Sequence, residues 1–252
     1  MDIEADGAEF LVAYPQGLSV NNPVLNSSGA GWNIAGLLAD HDDVDFSLEL
    51  VNHVQEDYAV DPLRVHVVGH SMGASMVYEL ACGQFDRIAS FAAVSTQMAG
   101  LQVESCTPER PMSFLQVHGT ADPNIGFDGI EGAIPFPPAP ATAAFWAGLN
   151  NCAPEPVTTE IEDLATDDNS TVTLFEYTEC DPQSEVLFYQ VNEGGHTWPG
   201  GRSRPSAFGP TNRDINASAE ILDFFARNPL PQSATAVEMS TWGTVKSGIQ
   251  PQ

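Results

Sequence analysis

The chain has 252 residues, 42% of them hydrophobic, enough for one α/β domain with a sizeable core and too apolar for a disordered segment. With 34 acidic residues against 8 basic ones, the formal charge is −26 and Lys246 is the sole lysine; such a surface repels nucleic acid and anionic membranes and suits salt-rich water. No apolar run reaches the roughly 18 residues of a membrane span, and Met1-Asp2-Ile3-Glu4-Ala5-Asp6 is the opposite of an export signal.

In chain order, Phe10-Leu11-Val12-Ala13-Tyr14 reads as a short buried strand closed by Pro15 and Gly17. Residues 18–43 read as loop. Asp42-Asp43 starts an amphipathic helix carried by Val44, Leu48, Val51 and Tyr58, and Asp61-Pro62 breaks it. Residues 64–68 form the next strand, followed by Gly69-His70-Ser71-Met72-Gly73 and a helix ending near Cys82. Residues 89–94 and 112–118 are further strands, 133–140 a Pro/Ala-rich surface connector, and 141–149 a helix. Residues 171–177 and 186–191 are strands, and 217–227 a helix stopped before Pro229. Strands alternating with helices predict an α/β fold with a mostly parallel sheet flanked by helices. The chain divides into a domain over 1–228 and a polar tail over 229–252 that contains Trp242.

The pentapeptide around Ser71 lies between a strand and a helix, which is the setting of a nucleophile elbow: a tight turn that lifts a serine hydroxyl clear of the sheet edge. Glycines flank the serine because a strained turn tolerates no Cβ nearby. A serine nucleophile needs a base, and the base an orienting acid, in the order Ser, Asp/Glu, His, each just after a strand. The strand ending at His118 runs into Gly119-Thr120-Ala121-Asp122, which offers Asp122 as the acid, with Asp128 a more distant substitute. The last strand runs into Gly194-Gly195-His196, which offers His196 as the base. The backbone N–H of Met72 is the expected oxyanion donor. Trp198, Trp32 and His70 are candidates to line a substrate pocket, with core or loop filling as the alternative for each. His118 and His66 read as structural, and His41 and His53 as exposed without an evident partner. The acidic residues Asp40, Asp42, Asp43 and Asp45 fit a helix N-terminus better than a calcium site.

Four cysteines, Cys82, Cys106, Cys152 and Cys180, lie outside zinc-type spacing, so no metal is expected. They allow three pairings, of which neighbour pairing closes the shortest loops; four free thiols in a reducing compartment are the alternative.

These segments together resemble the polyhydroxybutyrate depolymerase-like and feruloyl-esterase-like branch of the α/β-hydrolases, akin to carbohydrate esterase family 1. The matching pieces are Tyr14-Pro15-Gln16-Gly17-Leu18, Trp32-Asn33, Asp42-Asp43-Val44-Asp45-Phe46, the run from His118 to Asp122, the run from Gly194 to Gly201, and Ile215-Asn216-Ala217-Ser218 before a helix ending in Phe224-Phe225. The resemblance spans roughly residues 10–227. It implies neighbour disulfides and a secreted or cell-surface serine hydrolase that needs no cofactor. It implies hydroxycinnamoyl, acetyl or polyester substrates, cleaved through an acyl-enzyme. A serine peptidase of the prolyl-oligopeptidase type and a degenerate, non-catalytic hydrolase domain are the competing readings.

One departure stands out. The early strands, and the loop that carries the second oxyanion donor, have no counterpart among the nine residues before Phe10. An N-terminally incomplete chain accounts for this and for the missing export signal together. The other account is a short natural variant in which the 10–14 strand pairs directly with the 64–68 strand.

Overall fold

Alternation along the strands decides which side chains meet which layer. In a computed structural model, which describes residues 1–22, 27–36, 40–132 and 134–232, the central sheet separates two apolar clusters. Phe91, Ala93, Phe114 and Phe188 face one way. They pack on α3 (Met72–Gly83) and α5 (Ala139–Leu149) through Tyr78, Ala81, Trp146 and Ala147. Ala92, Val94, Leu115, Val117, Leu187 and Tyr189 face the other way, against Ile221, Phe224 and Phe225 of α6 (Ala217–Arg227). The period of two in the strands and the helical spacing in α6 thus place the large apolar side chains of these elements against neighbours. Phe91 and Phe114, opposite one another in register, stack at 4.7 Å between ring centres.

The sheet has six strands in the order β3 (His66–His70), β4 (Ser90–Val94), β5 (Ser113–Gly119), β8 (Val186–Asn192), β7 (Thr171–Tyr177), β6 (Val157–Glu160). β3, β4, β5 and β8 are parallel; β7 and β6 reverse. The α/β reading from sequence therefore holds, and apart from Phe10–Tyr14 the expected strands and helices lie close to their expected bounds. The carboxyl ends of β3, β5 and β8 share one rim, where ligands bind in sheets of this type.

Several elements were not legible beforehand. The segment expected as loop contains an antiparallel hairpin, β1 (Ser19–Asn22) with β2 (Ser27–Ala30), and a 3-10 turn at Ile34–Gly36. Two short helices, α1 (Asp2–Gly7) and α4 (Gly100–Ser105), and the edge strand β6 also add to the expected set. Helix α2 (Asp43–Asp57) takes the expected place, capped by Asp42, whose carboxylate accepts the Asp45 N–H at 2.9 Å. The acidic cluster is thus a helix start.

Phe10–Tyr14 is a correction. The segment is not a buried strand and does not pair with β3: Leu11 and Tyr14 are largely exposed, and it makes no ladder. Local apolarity had no partner strand to turn it into sheet; Phe10 instead packs edge-on to His66. Among the described residues nothing pairs with the outer edge of β3. A trench of about 980 Å³ runs there, lined by Phe10, Val51, Val54, Val67, Met76 and Phe225 among others. The tail beyond 232, with Trp242, lies outside the described residues.

Disulfides join Cys82 to Cys106 and Cys152 to Cys180, the neighbour pairing, and leave no free thiol. One ties the end of α3 to α4; the other ties the chain after α5 to the chain after β7.

Candidate active site

β3 ends at His70, and Ser71 takes φ 57° and ψ −125° before α3 begins at Met72. A non-glycine residue there is strained, and such strain persists only where the surroundings fix it. The fixing contacts are visible: Ser71 N–H donates to Val94 O at 2.9 Å, and Ser71 O accepts from Ala74 and Ser75 N–H at 2.8 and 3.2 Å. Gly69 lets the helix fold back on the strand, since a Cβ there would stand 2.1 Å from Gly73 C and 2.2 Å from Gly73 O. The symmetric argument for Gly73 does not hold, because its Cβ would meet only Trp32 Nε1 at 3.9 Å. Met72 and Gly73, whose N–H groups have no partner among the described residues, stand at the positive dipole end of α3 next to the serine, a setting that favours an anion.

Asp122, after β5, and His196, after β8, are brought together. His196 Nδ1 donates to Asp122 Oδ2 at 2.7 Å, and both side chains are buried. The other carboxylate oxygen accepts the backbone N–H of Asn124 and of Ile125, each at 2.8 Å, which fixes the carboxylate plane. Two backbone approaches bring the loops together. Ala121 N–H donates to Gly194 O at 2.9 Å, and Gly119 has no room for a Cβ against that same carbonyl. Asp128 is not in this pairing.

Ser71 makes no side-chain hydrogen bond among the described residues; the contact with His196 is made by its neighbour. The His70 ring lies 4.8 Å from the His196 ring and 6.5 Å from Trp198. His70 Nε2 is buried without a partner, and burial, helped by the charges of His196 and Arg204, pushes its pKa down to about 4. It is therefore neutral at ordinary pH.

Two contacts on His196 had no sequence signal. Its N–H donates to Phe208 O at 2.6 Å, and the Phe208 ring stacks on the imidazole at 6.2 Å. Ser95, on the β4 loop, donates its hydroxyl to Thr197 O at 3.1 Å and holds the same turn from below. The loop carrying Phe208 folds over the site from further along the chain, a closure that no local pattern announces.

Trp198 flanks the site but is anchored, its indole N–H donating to Ser218 Oγ at 3.0 Å. Trp32 reaches α3, its backbone N–H meeting Met72 Sδ at 3.3 Å, and the adjacent Asn33 N–H donates to Asp43 Oδ2 at 2.6 Å. His118 is structural: Nε2 donates to Ile125 O at 3.0 Å, bracing the turn that holds Asp122. His66 stacks on Phe225 at 4.7 Å and bonds Ser90 Oγ at 2.8 Å. His41 and His53 do have partners, Asp43 at 3.3 Å and Asp57 at 3.5 Å. Among the described residues no three His, Cys, Asp or Glu side chains converge as a metal-binding group, and no helix is long and apolar enough to cross a membrane.

Residues 26–208 match the sequence profile of the alpha/beta hydrolase family. The protein named "Putative esterase NocK" from Nocardia uniformis subsp. tsuyamanensis is 28% identical over 242 residues, covering 89% of this chain and 67% of that one. Feruloyl esterase B from Piromyces equi is 29% identical over 176 residues, 67% of this chain and 31% of that one. Feruloyl esterase C from Emericella nidulans is 34% identical over 131 residues, 51% and 41% of the two chains. The chain thus spans about two thirds of the first relative and well under half of the other two. A solved acetyl xylan esterase from Aspergillus awamori superposes with a TM-score of 0.47 at 14% identity, over 73% of this chain and 67% of that one, a likeness too slight to build on.

Proposed function

The chain belongs to the alpha/beta hydrolase family, and from that premise we propose that it is a serine carboxylic-ester hydrolase working through an acyl-enzyme. The observation that carries the reading is the buried 2.7 Å pair of Asp122 and His196, on the same sheet rim as a serine held at φ 57° at the head of a helix, whose neighbour His70 lies against the His196 ring. In this mechanism His196 takes the Ser71 proton as the hydroxyl attacks the ester carbonyl. Asp122 keeps the imidazole in the tautomer that can accept it and stabilises the imidazolium that forms. The Met72 N–H, at the positive end of α3, supports the developing oxyanion. His196 then returns its proton to the departing alcohol, and a water activated by the same base releases the acid. Asp122 accepts three hydrogen bonds, from Asn124 N–H, Ile125 N–H and His196 Nδ1, which hold its carboxylate in place.

The substrate class is a phenolic or acetyl ester, carried on a polysaccharide; polyester is a second candidate. The relatives named feruloyl esterase support the first. Two disulfides suit an oxidising compartment and support a location outside the cytoplasm. Labelling by a fluorophosphonate probe, with the adduct mapped by mass spectrometry, tests the nucleophile. Modification at Ser71, and loss of 4-nitrophenyl acetate and methyl ferulate turnover in Ser71→Ala with an unchanged melting temperature, is the expected result. A labelled protein with its adduct elsewhere, or an active Ser71→Ala, refutes the assignment.

A further inference from the structure

Cations are scarce on this molecule, and nearly all the described ones are committed. Arg227 pairs with Glu185 and Asp223, and Arg213 with Asp167 and Asp168. Arg64 bonds Ala226 O and faces Asp61, Arg87 bonds Asn52, and Arg110 bonds the carbonyls of Phe85, Pro111 and Ile88. Arg202 and Arg204 differ. Both are exposed, and among the described residues neither has a carboxylate within ion-pair distance.

Their place is the second observation. They stand on the loop between Gly201 and Phe208, the residue whose ring and carbonyl both hold His196. The Arg204 guanidinium lies over the Phe208 ring at 5.6 Å. Among the described residues Arg204 makes no hydrogen bond or ion pair, so its planar N–H fork is open to an anion. Its charge is felt in the site, since it is one of the causes of the weak proton affinity of His70. On a molecule of formal charge −26, this loop brings two cations close to His196. At physiological salt the distant carboxylates are screened over about 8 Å, while a group bound at the loop meets these two cations directly.

The side of the site matters too. Phe208 and Arg204 flank His196, the residue that hands a proton to the leaving alcohol, so the alcohol portion of the ester passes this loop. Resting on the esterase reading above, we propose that Arg204, assisted by Arg202, is a specificity-determining residue that seats a carboxylate on the alcohol portion of the substrate, so that the preferred esters are those borne by acidic carbohydrate chains, with uronic-acid units near the esterified sugar.

The test compares kcat/KM for feruloylated or acetylated xylo-oligosaccharides with and without a glucuronic acid substituent. The wild type should prefer the acidic substrate by about five- to twentyfold at low salt, the worth of one charge-assisted fork. The preference should shrink toward unity in roughly 0.5 M NaCl, where screening is strong. It should largely vanish in the R202Q/R204Q double variant and survive in part in Arg204→Lys. Reading the ratio cancels any general loss of active protein. No preference in the wild type, or a preference untouched in the double variant, overturns the proposal. So does an Arg-dependent preference seen only for 4-nitrophenyl monoesters of dicarboxylic acids, which would put the carboxylate on the acyl side. If neither neutral nor acidic esters are hydrolysed, the esterase reading itself fails. Calorimetry with the Ser71→Ala protein then still decides this one: tighter binding of the acidic oligosaccharide, lost in the added R202Q/R204Q changes, upholds the cation site, and equal binding overturns it.

Discussion

Replacing Asp122 by Asn isolates the electrostatic part of the acid–base pair from its packing. The introduced carbonyl oxygen can stand where Oδ1 now accepts the Asn124 and Ile125 N–H groups at 2.8 Å, so the turn is retained. The amide NH₂ then occupies the position of Oδ2 and meets His196 Nδ1 at 2.7 Å, donor against donor. Relief comes only if the imidazole shifts its proton to Nε2, which is the nitrogen that must accept the serine proton. The imidazolium of the transition state also loses its counter-charge inside a buried site. The expected fall in kcat is about 10⁴-fold, or roughly 5.5 kcal/mol of transition-state stabilisation. The melting temperature should move by only a few degrees, because one hydrogen bond is altered and no cavity is made. Stopped assays on 4-nitrophenyl acetate, beside thermal unfolding of the same samples, measure both. An Asp122→Asn protein with activity within about tenfold of wild type would refute the role given to Asp122, and the His196 assignment would lose its main support.

Other expectations follow from the same contacts. Gly69→Ala drives a Cβ into the Gly73 backbone and should cost about 3 kcal/mol or more in urea unfolding, whereas Gly73→Ala, with its nearest contact at 3.9 Å, should be neutral or slightly stabilising. His66 is held neutral in the fold, its pKa pushed down to about 3 mainly by burial and further by Arg64. Its unfolded form titrates near 6.5, so the unfolded chain binds the extra proton and stability is lost as pH falls from about 6.5 toward 3. That single group should account for about 2 kcal/mol between roughly pH 7.5 and pH 5, so His66→Phe, measured by urea unfolding at both values, should gain on wild type by that amount in acid. An unchanged difference would show that residue 66 does not titrate this way. Replacing Cys152 and Cys180 by alanine should cost about 3.5 kcal/mol in the loop-closure picture, and Cys82 with Cys106 a similar amount, by thermal or urea unfolding without reductant.

How far the sequence speaks depends on whether the deciding contacts are local. Ser71, Asp122 and His196 could each be placed because each follows a strand whose apolar run marks it, and parallel strands bring their carboxyl ends to one rim. The disulfide pairing was open to short-loop reasoning for the same reason. Phe10–Tyr14 misled because apolar composition implies a strand only if another edge accepts its hydrogen bonds, and among the described residues none does. β6 escaped notice because all four of its residues face solvent, so no alternation appears. The contact of Phe208 with His196, and of Arg204 with the Phe208 ring, is the deepest miss. It depends on a loop between Gly200 and Gly209 curling back over residue 196, a tertiary event with only glycines and prolines to hint at it.

The open flank of β3 has a colloidal consequence. A strand edge that no other strand pairs with among the described residues, beside an oily trench, is a template on which a second molecule could extend the sheet, and among those residues no lysine stands beside it as a block. The main opposing force among identical copies is their common negative charge. Added electrolyte weakens that repulsion while leaving the template intact, so a preparation that stays clear in dilute buffer is expected to grow larger particles as ionic strength rises.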